Sequence, residues 1–227
     1  MDRIFYSGMA AFLIALVFSG FSRTFYLNSH FAHRQLSTLL MVHGTVFSCW
    51  ILLLLTQTLL VASGRVDIHR KLGYAGGFLA VTMLVLGLMA GVDAGRRGSA
   101  PPGIPPLAFM TVPIFDIVVF STLVGAGFLW RKRPETHKRL MLTATIGIMG
   151  AAVARLPFDF IMKTGPLAFF GIADLILIVC VIYDTATRRR VHPAYIWGGL
   201  LVIVSQPLRL MVGGTAAWLT FARWLVG

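Results

Sequence analysis

The chain has 227 residues, of which 57% are hydrophobic and only 12% charged, and its mean hydropathy is +0.82. A soluble domain carries about 25% charged residues, so too little polar surface is present to cover a water-soluble globule. An ordinary cytosolic enzyme, a secreted disulfide scaffold and a disordered tail are excluded.

A transmembrane helix needs about 20 apolar residues, and seven such stretches lie near 5–22, 36–62, 70–93, 107–130, 138–157, 166–186 and 194–214. Runs such as Ile51-Leu52-Leu53-Leu54-Leu55 do not alternate as barrel strands would. The expected architecture is all-α and polytopic: one transmembrane domain over 1–227 with seven membrane-spanning helices. The first stretch resembles a signal peptide in having Arg3 before a short apolar run, but Phe18-Ser19-Gly20-Phe21-Ser22-Arg23 offers no small-x-small cleavage site, so it is read as a retained helix. Cys49 and Cys180 fall inside the second and sixth spans and read as small apolar residues, not as a disulfide.

The net charge of +12 follows the loops. With the N-terminus inside, that side holds twelve basic residues: Arg3, Arg65, Arg70, Lys71, Arg131, Lys132, Arg133, Lys138, Arg139, Arg188, Arg189 and Arg190. The other side holds six, namely Arg23, Arg34, Arg96, Arg97, Lys163 and Arg223, while Arg155 and Arg209 fall within spans. Positive residues favour the cytoplasmic side, which gives N-in, C-out. The basic balance therefore suits anionic membrane lipid and not nucleic acid. The stretch from Trp218 to Trp224 reads as an interfacial anchor.

Three inner loops share one spacing, Arg-x-x-x-His: Arg65 with His69, Arg133 with His137, and Arg188 with His192. Spans two to seven therefore read as three related hairpins after a lone first helix. The plain reading is of basic loop anchors inherited by duplication. The alternatives are binding of an anion or lipid headgroup at the helix starts, or convergence of His69, His137 and His192 on a metal. Pro134 and Pro193 mark the starts of spans five and seven.

Ionisable side chains inside a bilayer are costly and tend to be functional. His43, Asp116 and Asp174 lie in the outer halves of spans two, four and six, and Arg155 and Arg209 come late in spans five and seven. His43, Phe47, Trp50, Leu54 and Gln57 recur at helical spacing, and Gln206 adjoins Arg209. These residues form a candidate polar cluster, either a structural ion-pair network or a binding site. Pro113, Pro157 and Pro207 break helix hydrogen bonds beside it. Span three carries Gly73, Gly76, Gly77, Gly87 and Gly91, which suit close helix contacts, including contacts between protomers or with a partner subunit.

Several strings together resemble a family of uncharacterised bacterial multi-pass inner-membrane proteins. They are His43-Gly44, Phe47, Trp50, Gln57, Gly64-Arg65 and His69-Arg70-Lys71-Leu72-Gly73, with Phe115-Asp116 and His137-Lys138-Arg139-Leu140-Met141-Leu142. Ala154-Arg155-Leu156-Pro157, His192-Pro193 and Pro207-Leu208-Arg209 complete the set. The resemblance covers nearly everything after the first span and implies a bacterial cytoplasmic membrane, but carries no activity over. A retinal Schiff base would need a lysine in the last span, and there is none. Small-solute or ion binding and transport through the outer-half cluster is the first expectation, with no cofactor. The alternatives are a metal- or haem-dependent oxidoreductase using the inner histidines, and a non-catalytic accessory subunit.

Overall fold

The computed structural model describes residues 2–31, 33 and 35–227; Arg34, which the charge count places on the outer side, lies outside them. The described residues contain helices and turns and no strand. The principal helices are α1 (Asp2–Phe21, extended by a π turn over Ser22–Tyr26), α2 (Thr38–Ala62), α3 (Val66–Arg96) and α4 (Thr111–Leu129). They continue as α5 (Pro134–Gly147), α6 (Pro166–Arg188), α7 (Pro193–Gly213) and α8 (Ala216–Val226).

Six segments among the described residues are long and apolar enough to cross a membrane: Asp2–Tyr26, Thr38–Ala62, Val66–Arg96, Pro106–Leu129, Pro166–Arg188 and Pro193–Gly213. The expected span over 138–157 is not one helix. It is α5, which stops at Gly147, followed by a separate turn over Gly150–Val153. Two glycines flank the interruption: a Cβ at Gly147 would sit tightly, 3.3 Å from Val202, and one at Gly150 would make ordinary contact, 3.6 Å from Phe169. Pro157 then supplies no N–H to a helix running on from Val153.

Helix ends follow local sequence. Pro134, Pro166 and Pro193 occupy first-turn positions of α5, α6 and α7, where a missing N–H leaves no bond unmade. Gly64, at φ +79°, closes α2 with a Schellman turn: the Arg65 N–H reaches Leu60 O at 2.8 Å and the Gly64 N–H reaches Val61 O at 3.2 Å.

The chain runs up and down, with α2–α3 and α4–α5 as close hairpins. The third pair departs from the expected repeat. Instead of lying along α6, α7 packs in the groove between α4 and α5, and α6 leans on the Gly150–Val153 turn. Gly198 lies at this contact, where a Cβ would stand 3.4 Å from both Leu123 and Thr143. The close contacts suited to span three are made within the chain: Gly87 faces Ile117, Gly91 faces Ile114, and Gly76 faces Leu53. Ile117, Phe120, Leu123, Leu140, Ile146, Cys180 and Val202 belong to the core. Large apolar residues also point outward; Phe78 is 76% exposed and Ile182 61%, the pattern of a bundle whose outer surface meets hydrocarbon.

Candidate functional site

One end of the bundle gathers the starts of α1, α3, α5 and α7 with the ends of α2, α4 and α6. The expected polar cluster lies in the opposite half, and the structure assembles part of it. Arg209 of α7 pairs with Asp116 of α4 through Nη1. Its Nη2 donates to Ser205 Oγ at 2.7 Å, and its Nε donates to Ser205 O at 3.1 Å. The guanidinium also lies 5.2 Å from the centre of the Phe170 ring. One turn away, Gln206 Nε2 donates to Asp174 Oδ1 of α6 at 2.7 Å. Pro207 sits between these residues within α7. Three helices thus meet through two carboxylates, one guanidinium and one amide.

The two carboxylates differ. Asp116 faces a cation that is 1% exposed, so each charge compensates the other. Asp174 is bonded by a neutral amide, and no cation stands within ion-pair distance of it among the described residues. Asp174 therefore lacks the compensating countercharge that Asp116 has.

Four of the expected cluster residues lie elsewhere. His43 stacks on Phe47 with ring centres 4.1 Å apart. Trp50, 2% exposed, donates from Nε1 to Thr145 Oγ1 at 3.1 Å and meets the Phe120 ring edge-on. Gln57 reaches the other end of the bundle, where its Nε2 donates to His69 O at 3.3 Å. The stripe from His43 to Gln57 is real, but fourteen residues span about 21 Å along a helix, so one stripe cannot serve one site. Arg155, expected to pair with an acid, instead donates to Ala151 O at 2.6 Å and lies 4.7 Å from the Phe21 ring centre, with no carboxylate partner among the described residues.

Sequence reasoning missed a second network, at the N-terminal end. Arg139 is fully buried and pairs with Asp184, itself 1% exposed, at the end of α6. Arg139 Nη1 also reaches Glu135 Oε2 at 2.8 Å. Around this pair, Lys138 contacts Asp2 at 2.7 Å and Glu135 at 2.9 Å, and Arg188 contacts Asp2 at 2.8 Å and Glu135 at 2.5 Å. Tyr183 donates to Asp2 Oδ1 at 3.1 Å and stacks on Phe5, ring centres 3.7 Å apart. Burial would raise the Glu135 carboxyl, but the hydrogen bonds from Arg139 and Lys138 outweigh it and hold the carboxyl below its ordinary range. The available signal was a lone buried-side acid, Asp184, ten residues after Asp174, which puts the two on α6 about 15 Å apart.

The three repeated histidines do not converge. His69 and His137 stand with ring centres 6.2 Å apart. His192 instead caps α7, its Nδ1 accepting the Ala194 N–H at 3.1 Å, and its own N–H donates to Asp184 Oδ2 at 3.0 Å. Among the described residues, no three His, Cys, Asp or Glu side chains could share a metal ion, so the three-histidine centre is not formed. The α6–α7 pair is not a close hairpin like the other two, and its histidine is carried away with it. Of the arginines grouped with these histidines, Arg188 is committed to Asp2 and Glu135, while Arg65 and Arg133 occupy the N-cap positions of α3 and α5. Burial lowers the affinity of His137 and of His192 for a proton, and at His192 the nearby Arg139 acts in the same direction.

Trp218 of α8 donates from Nε1 to Leu107 O at 2.7 Å, and Arg96 donates to Leu225 O and Val226 O, both at 3.2 Å. These bonds hold α8 across the far end of the bundle. Both cysteines are free. No family model, curated protein or solved structure matches the chain.

Proposed function

We propose that this protein, an N-in, C-out chain of a bacterial cytoplasmic membrane crossing it seven times, binds and passes a small ion or solute at Asp116, Asp174, Gln206 and Arg209. The observation that carries the reading is the contrast between the two carboxylates. Asp116 is paired with Arg209, whereas Asp174 rests on the neutral amide of Gln206 with no ion-pair partner among the described residues. Pro207 deletes a backbone hydrogen bond of α7 at this level, which lets the Arg209 turn shift against Gln206. The break after Gly147 suits the same reading, because interrupted helices at membrane depth commonly line binding sites. The twelve-to-six distribution of basic residues supports the orientation, and the string resemblance supports the membrane.

The test is flux in proteoliposomes containing a pH-sensitive dye, with a potassium diffusion potential imposed and sodium present or absent. The wild type should acidify or alkalinise the lumen faster than empty liposomes. Asp174→Asn should abolish the difference while eluting as a folded monodisperse species. Equal rates for wild type, Asp174→Asn and empty liposomes would overturn proton or sodium passage.

A further inference from the structure

His69 and His137 each lie on the fourth residue of a helix, α3 and α5, and their rings meet between the two close hairpins. His137 Nδ1 lies 2.8 Å from Gly127 O. A carbonyl can only accept, so the proton of the neutral ring sits on Nδ1 and the Nε2 lone pair is left free. A ring nitrogen tied to a backbone carbonyl is the usual way a metal-binding imidazole is oriented. Two further buried polar atoms nearby in the fold have no hydrogen-bond partner among the described residues, His69 Nδ1 and Gln57 Oε1. Gln57 is also fastened to the His69 backbone carbonyl through Nε2, which fixes its amide beside the turn that carries His69.

We infer that His69, His137 and Gln57 form a binding site for one imidazole-seeking transition ion, Zn²⁺ or Cu⁺. The ring spacing suits it. Two imidazoles sharing an ion at about 2.0–2.1 Å place their ring centres roughly 5 Å apart at a tetrahedral angle and roughly 6.4 Å apart in a linear arrangement, so the observed 6.2 Å fits a near-linear pair, and a tetrahedral ion would draw the rings about 1 Å closer. Bound there, the ion takes two nitrogen lone pairs and the Gln57 carbonyl oxygen, with water free to complete the shell. The surrounding chemistry narrows the choice. Asp67 and Glu135 precede the two histidines among basic residues, but Glu135 is already held by Lys138, Arg139 and Arg188, and imidazole nitrogens suit a borderline or soft ion better than Mg²⁺ or Ca²⁺. Helix capping alone accounts for the His137–Gly127 bond, but it leaves the unpaired nitrogen and amide oxygen without a role.

The test is competition against a chromogenic chelator, using detergent-purified protein stripped of metal and titrated with Zn²⁺, or with Cu⁺ under reducing conditions. The wild type should take up one equivalent of one of these ions. His69→Ala and His137→Ala should each weaken binding by about a hundredfold, while His192→Ala and His43→Ala bind as the wild type does. His137→Asn keeps a donor for Gly127 O, so it should retain thermal stability while losing the ion, which separates ligation from folding. The ion should also raise the melting temperature of the wild type and not that of the His69→Ala/His137→Ala double variant. Failure of the wild type to bind either ion, or binding retained by the double variant, would overturn the site.

Discussion

Arg139 and Asp184 form an ion pair with almost no solvent exposure where α5, α6 and α7 meet, and the second oxygen of Asp184 takes the backbone N–H of His192. One carboxylate therefore fastens the start of α5 and the turn into α7 to the end of α6. Removing one member of such a pair leaves a buried charge uncompensated. Asp184→Ala should cost about 3 kcal/mol, the lower part of the usual range for a broken buried pair, because Glu135 still holds Arg139. Asp2→Ala breaks only partly exposed pairs and should cost no more than about 1 kcal/mol. Thermal unfolding in one detergent ranks the two, and equal losses would contradict the distinction.

The Asp116–Arg209 pair allows a separation of stability from function. Asp116→Leu alone should destabilise by about 3–5 kcal/mol through the orphaned guanidinium. Adding Arg209→Met should recover most of that loss, since an apolar pair of similar volume is often as stable as a buried ionic one. Ion flux should nevertheless stay absent in the double variant. Melting temperature and liposome flux measured on the same preparations check both halves.

Glycine substitutions report the helix spacing directly. A Cβ at Gly87 would lie 2.7 Å from Ile117 Cγ1, so Gly87→Ala should cost about 1–3 kcal/mol through overpacking. Ile117→Val in the same chain removes Cδ1, 3.1 Å from that Cβ, but keeps Cγ1, so it should relieve only a small part of the loss. A Cβ at Gly125 of α4 would meet nothing within 4 Å, and Gly125→Ala should stabilise by up to about 1 kcal/mol from helix propensity alone. Denaturation midpoints of the three variants decide.

His192 predicts an acid-sensitive corner. Its Nδ1 must be unprotonated to accept the Ala194 N–H, and burial followed by Arg139 lowers its folded affinity for a proton, with Arg188 adding and Asp184 and Glu135 opposing. The unfolded chain therefore binds the proton first. Stability from this residue is full above an unfolded value of about 6.5 and falls as the pH drops below it. His192→Asn keeps an acceptor at the cap but does not titrate, so it should flatten the melting-temperature slope between about pH 6.5 and 5. An unchanged slope would exclude His192 as its source.

Hydropathy located the helices well, because a bilayer-length apolar run has few other uses. It also placed Asp116, Asp174, Gln206 and Arg209 together, since those residues share a level on alternating helices. It failed on Arg155 for a local reason: α5 ends at Gly147, so the position of Arg155 no longer follows from counting turns from Lys138. It failed on Gln57 because periodicity gives the face of a helix and not the height along it. Arg139 and Asp184 escaped notice at the margins of spans, where a charge reads as solvated loop until the neighbouring helices are seen to bury it. The pairing of His69 with His137, and the departure of His192, depended on how α7 packs, which no repeat in one chain reveals.

The 93 residues separating Asp116 from Arg209 also set an order of events during synthesis. At about 5–20 residues per second, the acid is made roughly 5–20 seconds before its arginine. α7, the last long helix, therefore arrives as both the filler of the α4–α5 groove and the countercharge to Asp116.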